Sequence, residues 1–289
     1  MIIGNPDRFA KRWKKFCTDG VDKLMVITDF DQTLTPYYRP DGTREKSSHG
    51  VLMKSGAISP VIRKRELELT AKYHPIETSP ELTREQKLPH MIEWWARTRE
   101  VLIENGVTRA QIEASVAEGD LSFRDGFTEI FDVLAAANVP TLIFSAGIYD
   151  VIHEVLRQQY AAKTPAITPP KNIHVVSNMM QFNDAGQLLD FKGNLIYSFN
   201  KNAIVLEGSE FWTQCEMQQR RNVLLLGDTL GDTRMTHGLD STEDEIIRVG
   251  FLNARVDESL EAFVEAFDVV LTHDASLRPV ELLLHQLRQ

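Results

Sequence analysis

Apolar residues in this chain gather in short continuous runs rather than alternating with polar ones. Leu24–Thr28 is such a run, rich in β-branched side chains and bounded by charged residues. Similar runs recur at residues 141–144, 173–176, 223–226 and 269–271. An unbroken apolar run of this length suits a parallel strand buried on both faces. Helical stretches separate most of the runs, at 126–137, 148–160 and 256–266, and another opens the chain over 6–19. Strands alternating with helices predict an α/β fold, a Rossmann-like open parallel sheet with helices on both faces.

Residues 44–125 break this rhythm. No comparable strand run appears there, and helical segments are expected near 60–73, 81–105 and 108–118. Thr83-Arg84-Glu85-Gln86 and Thr108-Arg109-Ala110-Gln111 carry the Thr-x-x-Gln signature of a helix start. We therefore expect a core built from 1–43 and 126–289, with a helical cap over 44–125 inserted after the first strand. Such a cap sits over the carboxyl ends of the strands, where open α/β sheets bind ligands. Further on, 179–182 and 188–191 flank Asn183-Asp184-Ala185-Gly186, a β-hairpin with a longer loop.

Composition narrows the possibilities. Against 32 Lys and Arg stand 41 Asp and Glu, a formal charge of −9. An acidic chain repels a polyanion, which argues against a nucleic-acid polymer as partner. It leaves room for a small phosphate ester, because a metal and a few cations reverse the field inside one pocket. Two distant cysteines, Cys17 and Cys215, make neither a disulfide framework nor a zinc site. No apolar run approaches membrane-spanning length, and residues 1–20 lack a signal-peptide core. A cytoplasmic protein without a membrane partner is expected, and a monomer is taken as the starting assumption.

The sharpest chemical feature is Asp29-Phe30-Asp31-Gln32-Thr33, directly after the first strand run. Two carboxylates this close raise a pKa or require a cation. Mg²⁺ meets that need with oxygen ligands and also neutralises a phosphate. One carboxylate can attack phosphorus, and the other can protonate the leaving oxygen and later activate water. The plain alternative is a solvated turn after a strand. Gly227-Asp228-Thr229-Leu230-Gly231-Asp232 follows another strand run and adds two acids at a second strand end. Four acids converging on one sheet edge point to a metal site. The run at 141–144 leads into Ser145-Ala146-Gly147, whose hydroxyl and N–H groups suit an anionic oxygen, although alone it reads as a helix N-cap. Lys201 lies just ahead of an expected helix, where a lysine can bridge a nucleophile and a phosphate.

Strand–DxDxT, strand–Ser, Lys and strand–GDxxxD, in that order, resemble the haloacid-dehalogenase-like phosphatases. Longer stretches, above all Phe-Ser-Ala-Gly-Ile-Tyr-Asp at 144–150 and Asn-Ala-Arg-Val-Asp-Glu at 253–258, are similar to the cytosolic 5′-nucleotidase III family. The similarity runs from about residue 6 to the end. That family comprises pyrimidine 5′-nucleotidases and 7-methylguanosine-phosphate 5′-nucleotidases. The resemblance implies Asp29 as nucleophile and magnesium ligand, and Asp31 as acid/base with its backbone carbonyl on the metal. It implies Asp228 as a further ligand, with Asp232 supporting the metal shell. Ser145, Ala146 and Lys201 would hold the phosphate. Glu77 matches a cap acid that contacts the nucleoside, and Tyr37 and Trp95 match aromatic positions near the base. Thr98 matches a cap position near the ligand. The Trp94-Trp95 pair resembles the methylguanosine branch. An alternative is that one tryptophan faces the cap core and only the other reaches the site. Two departures stand out: 160–171 is longer and richer in proline, and 36–42 carries an extra residue, so Tyr38 can take the place of Tyr37.

The expected activity is Mg²⁺-dependent hydrolysis of a nucleoside 5′-monophosphate through phospho-Asp29. Two other readings stay open: a capped phosphatase for another phosphomonoester such as phosphoserine, and a non-catalytic nucleotide-binding protein on the same fold. Phosphoryl transfer to a nucleoside acceptor is a conceivable side activity of the same intermediate.

Overall fold

The computed structural model describes residues 1–79, 81–163, 170–202 and 219–287. Among the described residues, one eight-stranded sheet has the order β1-β8-β7-β6-β2-β3-β4-β5. Its strands are β1 (Ile2–Ile3), β2 (Leu24–Thr28), β3 (Thr141–Ile148), β4 (Ile173–Phe182), β5 (Leu188–Lys192), β6 (Asn222–Gly227), β7 (Ile246–Leu252) and β8 (Val269–Thr272). The six inner strands run parallel. The edge strands β1 and β5 pair antiparallel with their neighbours.

All five expected apolar runs are strands, and their burial shows why they are continuous. Leu24 and Val26 of β2 face one apolar cluster, while Met25 and Ile27 face another. In β6, Leu224 and Leu226 join the first cluster, and Val223 and Leu225 the second. Each fully buried aliphatic side chain contributes roughly 1.5–3 kcal/mol. Helices α1 (Pro6–Asp19), α6 (Phe127–Ala136), α7 (Tyr149–Lys163), α8 (Val256–Ala266) and α9 (Arg278–Leu287) belong to this layered part.

Strand β7 was not expected. Arg248 and Gly250 interrupt its apolar run, yet all seven residues are buried. Arg248 is paired with Glu243 at 2.7 Å. Gly250 lies under a ring, and a Cβ there would come 2.6 Å from Phe267. Strand β3 also continues past Phe144 to Ile148, with a register shift that lifts Ser145-Ala146-Gly147 out of regular pairing with β4. The hairpin joins β4 to β5 around Asn183–Gly186 as expected, with Gly186 at φ +77°. The expected helix after Lys201 and residues 164–169 of the 160–171 stretch lie outside the described residues.

Between β2 and α6 come α2 (Ser48–Lys54), α3 (Pro60–Thr78), α4 (Arg84–Glu104) and α5 (Arg109–Gly119). Among the described residues, 44–125 contribute no strand to the sheet. Both expected capping boxes form, at Thr83/Gln86 and Thr108/Gln111. Helix α2, only seven residues long, was too short to show a periodicity. Val51 and Leu52 of α2 and Ile112 and Val116 of α5 join the same apolar cluster as Val151 and Ile152 of α7. The helical region is thus seated on the sheet's own core beside β3.

Candidate active site

Strands β2 and β6 lie side by side, with Thr28 opposite Leu226. The residues that follow therefore emerge together at the carboxyl edge. Asp29 N–H donates to the Leu226 carbonyl at 3.0 Å. One carboxylate oxygen from each of Asp29, Asp228 and Asp232 lies within 4.8 Å of the others. Glycine is required at 227, where a Cβ would stand 2.4 Å from Cβ of Asp232. Asp232 is held by the N–H (2.9 Å) and hydroxyl (2.7 Å) of Thr229. The buried Lys201 ammonium lies 2.8 Å from Asp29 Oδ1 and 2.7 Å from Asp232 Oδ1.

Among the described residues, two of these three carboxylates pair with Lys201 and Asp228 forms no ion pair, which leaves excess negative charge. Burial raises the Asp29 pKa to about 7, and Asp232 and Asp31 add to it against the opposing pull of Lys201. Burial likewise pushes Asp228 well above the carboxylate range, helped by Asp232 and Asp29. Burial alone would lower Lys201, but Asp232 and Asp29 outweigh it and keep the ammonium charged. An oxygen cluster short of positive charge suits a hard divalent cation.

Asp31, the fourth acid expected there, is not a member of that trio. Its Oδ1 accepts from Ser48 N–H at 2.6 Å and its Oδ2 from Ser48 Oγ at 2.7 Å. The chain then turns through Gln32 at φ +64°. The buried Arg124 clamps this turn by donating to the carbonyls of Gln32, Thr33 and Thr35. Asn253 donates to the same Gln32 carbonyl. In the bulge of β3, Ser145 Oγ accepts from Gly147 N–H at 3.0 Å, and Asn178 holds the Ala146 carbonyl at 2.8 Å.

Two cavities flank the acids and meet at Glu77. One, of about 300 Å³, is lined by Asp31, Glu77, Trp94, Trp95, Thr98 and Ala146, among others. The second, about 800 Å³, is lined by Tyr37, Glu77 and Asp228 among others. Glu77 Oε1 accepts from Ser198 Oγ at 2.8 Å, three residues before Lys201. Both tryptophans reach the smaller cavity: Trp94 stacks on Tyr73, and Trp95 meets His49 edge-on. Tyr37 lies under the Arg44 guanidinium, 3.5 Å from its ring centroid, whereas Tyr38 is 46% exposed and absent from both linings.

The profile of the pyrimidine 5′-nucleotidase (UMPH-1) family matches residues 32–288. The chain belongs to this family. A 7-methylguanosine phosphate-specific 5′-nucleotidase of Rattus norvegicus is 41% identical over 290 residues, covering 100% of this chain and 93% of that protein. A crystal structure of cytosolic 5′-nucleotidase IIIB bound to cytidine superposes with a TM-score of 0.90 at 30% identity, covering 99% of this chain and 93% of that one. A haloacid-dehalogenase family hydrolase from Salmonella enterica serovar Typhi shares the fold, with a TM-score of 0.55 at 13% identity over 92% of this chain and 72% of that one. This nucleotidase-family chain is accordingly a phosphomonoester hydrolase. Among the described residues, no helix is long and apolar enough to cross a membrane.

Several residues around the site of this 5′-nucleotidase had no signal in the sequence. Ser48, His49, Glu66 and Arg124 belong to no recognisable motif. Glu66 is buried in α3, where its Oε2 lies 3.2 Å from both Thr98 Oγ1 and His49 Nε2. Asn253 stood in a quoted stretch, but its bond to the Asp31–Gln32 turn spans 221 positions. No spacing rule reaches that far.

Proposed function

We propose that this chain hydrolyses nucleoside 5′-monophosphates through a phospho-Asp29 intermediate, with Mg²⁺ as cofactor. The observation that carries the reading is the meeting of Asp29, Asp228 and Asp232 around Lys201 beside a cavity lined with aromatic rings. Asp29, Asp228 and the Asp31 backbone carbonyl would hold the metal, with Asp232 behind them. Bound there, Mg²⁺ offsets the charge of the carboxylates and of the phosphate dianion.

The residues then divide the work. Lys201, Ser145 and the Ala146 N–H hold the phosphate oxygens. An oxygen of Asp29 attacks phosphorus in line while the bond to O5′ breaks. Asp31 delivers its proton to O5′ and then takes one from the water that attacks phospho-Asp29. Glu77 and the rings of Trp95 and Tyr37 hold the nucleoside, with Thr98 behind them. The cap, 44–125, closes the site against bulk water over the core formed by 1–43 and 126–289. A monomeric cytoplasmic enzyme fits this reading, and one relative, from Caenorhabditis elegans, is named a putative cytosolic 5′-nucleotidase.

Both tryptophans in the cavity and the 41% identical 7-methylguanosine phosphate-specific relative support 7-methyl-GMP as the preferred substrate. A cationic base on indole gains about 0.5–2 kcal/mol, roughly two- to thirtyfold in kcat/KM. The test is kcat/KM for 7-methyl-GMP, CMP, UMP and phosphoserine, with Mg²⁺ and then with EDTA. Nucleotides should exceed phosphoserine by about 100-fold or more, since that substrate leaves the base contacts unused. Turnover should vanish with EDTA. Equal rates on phosphoserine would overturn the nucleotide reading, and CMP or UMP ahead of 7-methyl-GMP would overturn the base preference.

A further inference from the structure

Among the described residues, Asp31 is the only one of the four motif acids whose side chain is held by the helical region rather than by the sheet edge. Both its oxygens are engaged by a single residue. Ser48 N–H reaches Oδ1 at 2.6 Å and Ser48 Oγ reaches Oδ2 at 2.7 Å. Two bonds from one residue to the two oxygens fix the plane of the carboxyl group as well as its position. Ser48 is itself fully buried. Its hydroxyl fills the space beside Gly147, where a Cβ would come within 2.4 Å of Ser48 Oγ. The hydroxyl is thus wedged between Asp31 and the Ser145–Gly147 bulge.

The helix that carries Ser48 is anchored on both sides. Ser47 caps its first turn by accepting from Gly50 N–H at 3.0 Å. The next residue, His49, meets the buried Glu66 of α3 at 3.2 Å, and Thr98 of α4 donates to the same Glu66 oxygen. Val51 and Leu52 are buried in the apolar cluster below. The first turn of α2 therefore cannot drift without breaking buried contacts to both the sheet side and α3.

We propose that Ser48 is the positioning residue for the leaving-group acid: it holds Asp31 aimed at O5′. This rests on the reading of Asp31 as that acid. In the step concerned, the bond from an Asp29 oxygen to phosphorus forms, the phosphorus–O5′ bond breaks, and the Asp31 proton passes to O5′. An alkoxide leaves poorly without that proton, whereas p-nitrophenolate leaves readily. A fault in aiming Asp31 must therefore show on a nucleotide and not on p-nitrophenyl phosphate.

The experiment compares kcat/KM on 7-methyl-GMP or CMP with kcat/KM on p-nitrophenyl phosphate, for wild type, Ser48→Ala and Asp31→Asn. This ratio reports steps only up to release of the leaving group, so the later role of Asp31 with water does not enter. Ser48→Ala keeps the backbone N–H but loses the hydroxyl. It should lower the nucleotide value about tenfold or more, because the hydroxyl bonds the carboxylate that Asp31 becomes as its proton leaves, and leave the p-nitrophenyl phosphate value within about twofold. KM for the nucleotide should stay within about twofold, and the melting temperature should hold. Asp31→Asn should show the same discrimination at about 100-fold or more. Equal losses on both substrates for Ser48→Ala, or none on either, with the discrimination intact in Asp31→Asn, would overturn the role of Ser48 while sparing that of Asp31. No discrimination in Asp31→Asn would overturn the acid reading and the proposal together.

Discussion

The two ends of the central sheet treat buried acids in opposite ways. At the amino end of β8, Asp268 is buried and surrounded by donors: Arg8 at 3.1 Å, Arg12 at 2.8 Å and the Arg248 N–H at 2.9 Å. Nearby Glu243 binds Arg248 at 2.7 Å and Arg12 at 3.2 Å. At the carboxyl end, Lys201 pairs with Asp29 and Asp232, while among the described residues Asp228 forms no ion pair and feels the Arg124 guanidinium only at longer range. The arginines draw Glu243 down to about 2, chiefly through the bond to Arg248. The carboxyl-end acids Asp29 and Asp228 are instead driven up by burial and mutual repulsion. A carboxylate with a full set of partners ties elements together, here α1 to β7 and β8. A cluster left short of positive charge costs stability and is kept for a ligand that supplies it.

The strongest way to break this contrast is to remove the nucleophile. Asp29→Asn keeps the shape of the side chain but cannot form the acyl phosphate. Phosphate release from 7-methyl-GMP should fall by at least about 10³-fold, while the fold is retained. Near-normal release would mean that the crowded acids are not the reacting groups. Removing one of three repelling charges should leave the metal-free melting temperature unchanged or higher.

Stability measurements sharpen the contrast through opposite signs. Asp268→Asn removes the buried carboxylate that Arg8 and Arg12 share and leaves Arg12 only the exposed Glu243, a loss of roughly 3 kcal/mol. For a chain of this size that is a fall of about 6 °C in Tm. Asp228→Asn should instead raise the metal-free Tm by a degree or two. The sign follows from Asp29: its folded pKa, about 7, lies above the unfolded value near 4. The metal-free fold therefore loses stability as pH rises from about 4 to 7, and melts at pH 8 report the full repulsion. Saturating Mg²⁺ should raise the wild-type Tm by roughly 5 °C, from about 2.7 kcal/mol at a hundredfold excess over Kd. Asp228→Asn should lose that shift. A fall in metal-free Tm for Asp228→Asn would show that its carboxylate is structural, like Asp268.

The carboxyl end was also the more legible of the two. Asp29, Ser145 and Asp228 follow strand runs whose two-sided burial makes them continuous in sequence, so parallel packing brings them to one edge. Glu77 came from the family resemblance alone, since a cap acid carries no pattern, and Lys201 stood out only by its place ahead of an expected helix together with the other three motifs. At the amino end, β7 was hidden by Arg248, a charged residue that is buried only because Glu243 neutralises it. The helical region fared least well in its contacts. Its helices were readable from capping signals, but Ser48, Glu66 and Arg124 act through tertiary bonds spanning from 17 to 150 positions. Local periodicity records which face of a helix is buried, not which polar group it meets there.

The finest test separates a paired acid from a crowded one by titration. Glu243 has a folded pKa of about 2, against roughly 4.3 in an unfolded chain. An acid whose folded pKa is depressed contributes stability that is fully present above the unfolded value and is lost as pH falls through the folded one. Glu243 should therefore steepen the acid limb of the stability curve between about pH 4.5 and 2, and Glu243→Gln should flatten it there. The effect is at most about 1 kcal/mol, because the Glu243 side chain is 69% exposed and water and salt screen it. Raising the salt to about 1 M should shrink the difference between wild type and Glu243→Gln further. Urea unfolding at intervals from pH 2 to 8 measures it. If wild type and variant differ by the same amount at pH 2.5 and pH 7, the glutamate acts by packing rather than charge, and the amino-end network owes its strength to Asp268 alone.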